Sequence, residues 1–118
     1  MTNSGKDSFG ATVRRERERL GFGLREMAKK IEVSPTYLSK VERGQFPPPS
    51  EKKVKLIANI IGCDTDVLLA LAGRVSSELT DIIKSNPREL ADFLRLTKGL
   101  TAEDIERLSR EAKRAKDK

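Results

Sequence analysis

Within a short stretch of the chain, Pro35, Thr36, Tyr37, Ser39, Lys40 and Arg43 place small polar, aromatic and cationic groups where the apolar pattern gives them no core to enter. None of these groups is arranged for covalent chemistry. Hydroxyls that donate or accept, an ammonium and a guanidinium along one helix face are what a helix placed in a DNA major groove would carry. A merely solvated helix face is the plain alternative. The chain has no His for general-base work, no metal-ligand cluster and no glycine loop for phosphate, so an enzyme and a bound cofactor are not expected. Cys63 is the lone cysteine and has no His partner, so it offers no disulfide and is expected as a small buried residue.

Two short helices must position those groups. Leu24, Met27, Ala28 and Ile31 recur at helical spacing, and Ser34-Pro35 then opens a second helix whose Leu38 and Val41 face back. Ala28 is small, which lets the following helix cross closely. Glu32 sits in the turn where a left-handed backbone suits Gly or Asn better, at a cost of about 1–2 kcal/mol. Upstream, a helix from about Ser8 to Leu20 has Phe9, Val13 and Leu20 along one side. Its outer face mixes Arg and Glu, as in Arg15 and Arg19 near Glu16 and Glu18. Downstream, Gly44 ends the groove-compatible helix and 45–50 is a proline-stiffened connector. Ser50 caps a helix with Val54, Ile57, Ala58 and Ile61 inward, and Asp64 caps a short one with Val67, Leu68 and Leu71 apolar.

The 118 residues leave room for one compact domain and an appendage. Charged residues make up 36% and aromatic residues 4%, which favours a charge-laced helical protein over a sheet. The basic excess is +4 over residues 1–45, +1 over 46–75 and +1 over 76–118, so it coincides with the two-helix stretch and favours a polyanion partner. Residues 1–7 read as a frayed tail, with Lys6 as part of a DNA-contacting arm the alternative. No apolar run reaches membrane-spanning length, and the N-terminus lacks the apolar core of a secretory signal. A cytoplasmic protein is therefore expected.

Gly21, the run Glu26-Met27-Ala28, the turn Val33-Ser34 and Ser39 to Gly44 followed by Pro-Pro-Ser together resemble the Xre/Cro-type helix-turn-helix domain of phage repressors and many bacterial transcription regulators. The resemblance spans roughly residues 9–72. It implies an all-α fold, a five-helix repressor-like DNA-binding domain over 8–73 with short C-terminal helices over 74–118. It also implies that the helix beginning at Pro35 enters the major groove of double-stranded DNA. Pro35, Thr36 and Lys40 match base-contacting positions, with Tyr37 and Ser39 beside them. Lys40 would donate to guanine O6 and N7, and Thr36 would hydrogen bond or pack its methyl on thymine. Arg43 matches a phosphate-contacting position, and Arg25 is a further candidate for phosphate. Arg17 and Glu42 match a structural ion pair between the first and third helices. The chain departs from the family where Gly23 and Leu24 replace a polar residue followed by Gln, so the usual amide clamp on phosphate is not carried over. Pro35 likewise stands where a hydrogen-bonding side chain is common.

The last third has its own pattern. Leu79, Ile82 and Ile83 suggest one helix, Asn86-Pro87 with Glu89 opens another carrying Leu90, Phe93 and Leu94, and Thr101 with Asp104 opens a third carrying Ile105 and Leu108. Residues 113–118 read as a frayed basic end. Helices this short cannot bury those side chains alone, so they dock on the first domain, pair with a second copy or receive another protein. Because the family commonly binds palindromic operators as dimers, these eight residues are expected to form a dimerisation surface. The leading reading is a sequence-specific transcription regulator, more often a repressor. The alternative is an antitoxin-type module that neutralises a partner protein through the C-terminal helices and binds DNA secondarily.

Overall fold

The computed structural model describes residues 8–118, so the expectations for 1–7 and Lys6 lie outside the described residues. Among those residues the chain is all-α, as the sequence predicts. Its helices are α1 Phe9–Arg19, α2 Leu24–Lys30, α3 Pro35–Glu42, α4 Glu51–Ile61, α5 Thr65–Leu71, α6 Ser77–Ser85, α7 Pro87–Leu96 and α8 Ala102–Lys116. The chain divides into one unit that runs through Ser77 and a second that spans Glu78–Lys118. Sequence patterning puts the division at 73/74. Residues 74–77 make polar contacts to the first unit that no apolar pattern announces. The Arg74 guanidinium donates to the Pro49 and Pro48 carbonyls, and Ser77 donates its N–H and hydroxyl to the Glu51 carboxylate.

In the first unit the helix starts are set by side chains that accept otherwise unpaired backbone donors. Ser8 accepts from Ala11, Ser34 from Tyr37, Ser50 from Lys53 and Asp64 from Val67, each cap being worth about 1 kcal/mol. Phe9 and Val13 of α1, Met27 and Ala28 of α2, Leu38 and Val41 of α3, Val54, Ile57, Ala58 and Ile61 of α4, and Leu68 and Leu69 of α5 form one core, with Ile31 after α2. Leu24 and Leu71, also expected on apolar faces, are partly buried and pack against it, and two further expected residues are exposed. Leu20 is 40% exposed because it caps the end of α1, beyond the last inward turn. Val67 is 55% exposed because the short α5 buries Leu68 and Leu69 instead.

The placement of α3 depends on two close approaches. A Cβ on Gly10 would meet the Val41 carbonyl oxygen at 2.3 Å and that of Glu42 at 2.6 Å, so α1 crosses the end of α3 backbone against backbone. Only a residue without a side chain permits that. At the other end, Glu32 adopts φ 59°, the left-handed conformation expected of it. The Val33 N–H donates to the Ala28 carbonyl at 2.9 Å, and Lys53 Nζ of α4 donates to the Ile31 carbonyl at 2.6 Å. The ammonium thereby satisfies a carbonyl at the C-terminal end of α2, where a cation also suits the helix dipole.

In the second unit no residue of α6, α7 or α8 is buried. Asn86 precedes Pro87 without a side-chain cap, its amide donating to Ser85 Oγ at 3.4 Å instead. At α8, Thr101 Oγ1 accepts from the Asp104 N–H and the Asp104 carboxylate accepts from the Thr101 N–H, both at 3.1 Å. Residues 113–118, expected to fray, are helical through Lys116. The reciprocal cap at one end, an Arg114–Glu111 pair at 2.8 Å and cations in the last turn account for the added length.

Candidate nucleic-acid interface

Local sequence fixes what α3 presents. Ser34 caps its first turn, Pro35 occupies a position whose N–H would have no partner, and burial of Leu38 and Val41 turns the remaining face outward. Thr36 and Arg43 are exposed, while Pro35, Tyr37, Ser39 and Lys40 are half-buried. Pro35, Thr36, Ser39 and Arg43 line one wall of an open cleft, and Gly23, Leu24, Arg25 and Glu26 at the start of α2 line the other. The structure thus brings Arg25 and Arg43 to one cleft with two hydroxyls between them. Gly23 leaves open space at the α2 start, with nothing within 4 Å of where a Cβ would be. Arg43 Nε donates to the Ser39 carbonyl at 3.4 Å, and the residue as a whole is exposed.

Tyr37 and Lys40 belong to an adjoining part of the same face. Tyr37 packs on the edge of the core, and its ring centroid lies 5.8 Å from that of Phe46, the planes inclined at 46°. Lys40 Nζ stands 5.2 Å from the Phe46 ring centroid, within cation–π range. Sequence reasoning missed Phe46. Its signal was a large aromatic side chain in a connector otherwise made of Gln and prolines.

Behind this face Arg17 and Glu42 meet in two parallel hydrogen bonds, Nε to Oε2 at 2.8 Å and Nη2 to Oε1 at 2.9 Å. Their side chains are only 9% and 3% exposed, and Arg17 Nη1 also donates to the Phe22 carbonyl at 2.9 Å. The hydrogen bond to Glu42 raises the Arg17 pKa above its ordinary value and outweighs the burial that opposes it. A guanidinium in that state stays charged throughout the working pH range. The pair ties α1 to the last residue of α3, next to Arg43.

The dimerisation candidates are laid out on the second unit. Leu79, Ile82, Phe93, Leu94, Ile105 and Leu108 are exposed, and Ile83 and Leu90 are half-buried. Leu96 and Leu100, absent from the predicted set, add to the exposed apolar surface. Cys63 is half-buried, and burial raises its thiol pKa, which disfavours the nucleophilic thiolate. Among the described residues no group of three or more His, Cys, Asp or Glu is placed to hold a metal ion. Among the same residues no helix is long and apolar enough to cross a membrane.

The chain is similar to several solved structures. Against SinR, the master regulator for biofilm formation, in complex with DNA, it is 28% identical, covering 52% of this chain and 97% of that one, with a TM-score of 0.47. Against the N-terminal DNA-binding domain of SinR from Bacillus subtilis the values are 28%, 52%, 88% and 0.47. Against the clp gene regulator ClgR from Corynebacterium glutamicum they are 27%, 77%, 90% and 0.49. No curated protein matches the chain. A family model for the helix-turn-helix domain matches residues 8–72, more than half of the chain and the whole of α1 to α5. The chain therefore belongs to the helix-turn-helix domain family.

Proposed function

We propose that the protein is a sequence-specific DNA-binding transcription regulator, acting as a repressor, that inserts α3 into the major groove. The observation that carries this reading is the outward face of α3. Thr36, Ser39, Lys40 and Arg43 lie on one side of a helix whose other side is core, with Arg25 across an open cleft. In this reading Thr36 and Lys40 contact base edges with Pro35, Tyr37 and Ser39 beside them, and Arg43 and Arg25 hold phosphates. The Arg17–Glu42 pair plays a structural part, keeping α3 at a fixed angle to α1.

The exposed apolar side chains of α6, α7 and α8 support a homodimer over a palindromic operator, because covering a Leu, Ile or Phe is worth about 1.5–3 kcal/mol each. The same faces support a second reading, an antitoxin-type module that receives a partner protein there and binds DNA secondarily.

Selection from random duplex DNA, followed by titration of variants, tests the proposal. Lys40→Ala should abolish or relax preference at one base pair. Arg43→Ala should weaken all DNA alike and lower the salt slope by about one unit. If neither variant alters specific or non-specific binding, the assigned docking is wrong. Removal of residues 78–118 should convert a dimer to a monomer, and a truncated chain that stays dimeric in solution would reject the dimerisation role. A purified chain that is monomeric at full length and dimerises only with a small co-purifying protein would favour the second reading.

A further inference from the structure

We infer that Phe46 is a positioning residue for base readout, holding the Lys40 ammonium in place before DNA arrives; this rests on the major-groove docking of α3 proposed above. After α3 the chain doubles back, and the N–H groups of Gln45 and Phe46 both donate to the Lys40 carbonyl, at 2.8 and 3.2 Å. Pro47, Pro48 and Pro49 follow, and a residue that precedes proline is confined to extended backbone. The Phe46 backbone is therefore fixed by local bonds and by its neighbour. Its side chain is not in the core, since the residue is 40% exposed.

Two side chains of α3 meet that ring. Tyr37 and Lys40 lie three residues apart and so share one side of the helix. Tyr37 braces the Phe46 ring at 5.8 Å between centroids, and Lys40 Nζ stands 5.2 Å from the ring centroid. A free lysine on a helix surface samples many rotamers and loses them when it engages a base. Holding the ammonium over an aromatic face removes part of that loss in advance. The attraction uses the ring's charge distribution and no hydrogen-bond acceptor. The ammonium therefore keeps N–H donors for the O6 and N7 acceptors of one guanine. Arg43 lines the cleft on the other part of the face, so contacts to phosphate should not depend on Phe46.

The test uses the full chain. The wild-type preferred sequence is selected from random duplex DNA, and the base pair whose preference disappears in Lys40→Ala marks the lysine's contact. Phe46→Ala, Phe46→Leu and Phe46→Tyr are then compared for discrimination at that base pair, non-specific affinity and salt dependence. Proton shifts of the Lys40 ε-methylene are recorded without DNA. Phe46→Leu keeps apolar bulk against Tyr37 if Phe46→Ala fails to fold. We expect Phe46→Ala and Phe46→Leu to lower discrimination at that base pair about three- to tenfold, with non-specific affinity and salt slope unchanged. Phe46→Tyr should retain it, and the upfield ring-current shift of the ε-methylene should vanish in Phe46→Leu. In a Lys40→Ala background Phe46→Leu should leave affinity for the selected sequence unchanged. Wild-type discrimination in both Phe46→Ala and Phe46→Leu, or a loss of affinity for the selected sequence from Phe46→Leu that is as large in the Lys40→Ala background as in the wild type, overturns the role of Phe46 alone. A wild-type chain that selects no sequence overturns the docking reading and this inference together.

Discussion

Replacing Glu42 by Ala strands the Arg17 guanidinium in a site where its side chain is 9% exposed. Two charge-assisted hydrogen bonds, of 2.8 and 2.9 Å, are lost, and only the bond to the Phe22 carbonyl at 2.9 Å remains. Breaking one side of a buried pair costs about 3–5 kcal/mol, most of it the uncompensated charge. Small domains hold roughly 5 kcal/mol or somewhat more in total, so the first unit should be close to unfolding. Glu42→Gln keeps the shape and one accepting oxygen but leaves the same guanidinium uncompensated and sets an amide donor against one of its N–H groups, so it should cost nearly as much. The double change Arg17→Met with Glu42→Leu removes both charges and should fall near neutral, less about 1 kcal/mol for the Phe22 carbonyl left without its donor. Urea unfolding followed by tyrosine fluorescence is the assay. Tyr37 is the sole tyrosine and the chain has no tryptophan, so the signal reports α3 and the first unit alone. A loss below about 1 kcal/mol in Glu42→Ala, the range of exposed pairs, would refute the reasoning. So would a double variant that loses as much as the two single changes added together.

Gly10→Ala gains about 1 kcal/mol of helix propensity yet drives a methyl into the Val41 and Glu42 carbonyls, so the same fluorescence assay should show a net loss of stability. Increased stability would mean that α1 and α3 separate readily. Glu32→Gly should relieve about 1–2 kcal/mol of left-handed strain against about 0.5–1 kcal/mol of added freedom in the unfolded chain, giving a small rise in the urea midpoint. A lowered midpoint would show that the turn is not strained there. The Thr101 backbone hydrogen bond, then its hydroxyl partner and Arg107, hold the Asp104 carboxyl below its ordinary value of about 4. Because the folded-state value is the depressed one, the stabilisation is complete above about pH 4 and is lost as pH falls through the folded value. Helicity of α8 by circular dichroism should decline over that window, and Asp104→Ala should remove the step; an identical acid profile in that variant would assign the change elsewhere.

Much of the first unit was legible because its signals are local. Ser34-Pro35 before Leu38 and Val41 states where α3 begins and which side it buries, and Ser50 before the Val54-to-Ile61 stripe does the same for α4. The errors fall where local signals run out. Leu20 lies just past the last turn of α1, and the short α5 buries Leu68 and Leu69 in place of Val67, an ambiguity that seven residues cannot resolve by periodicity. Arg74 and Ser77 were silent because their partners are single polar groups about 25 residues away. In α8 the cap at Thr101 was readable, but its extension to Lys116 depends on charge pairs along the helix that compete with fraying.

By itself, then, the sequence determined which segments are helices, which sides of them are apolar and which side chains are left outside the core, since capping and periodicity act within a few residues. Only the tertiary structure decided how those side chains are grouped. It sends Thr36, Ser39 and Arg43 to one cleft with Arg25, and it gives Tyr37 and Lys40 to Phe46. That sorting follows from the angle at which α1 and α2 cross α3 and from the backward turn of the chain after Gly44. Those are set by contacts such as Gly10 against Val41 and Arg17 against Glu42, between residues distant in sequence, whose energies exist only once the helices have come together.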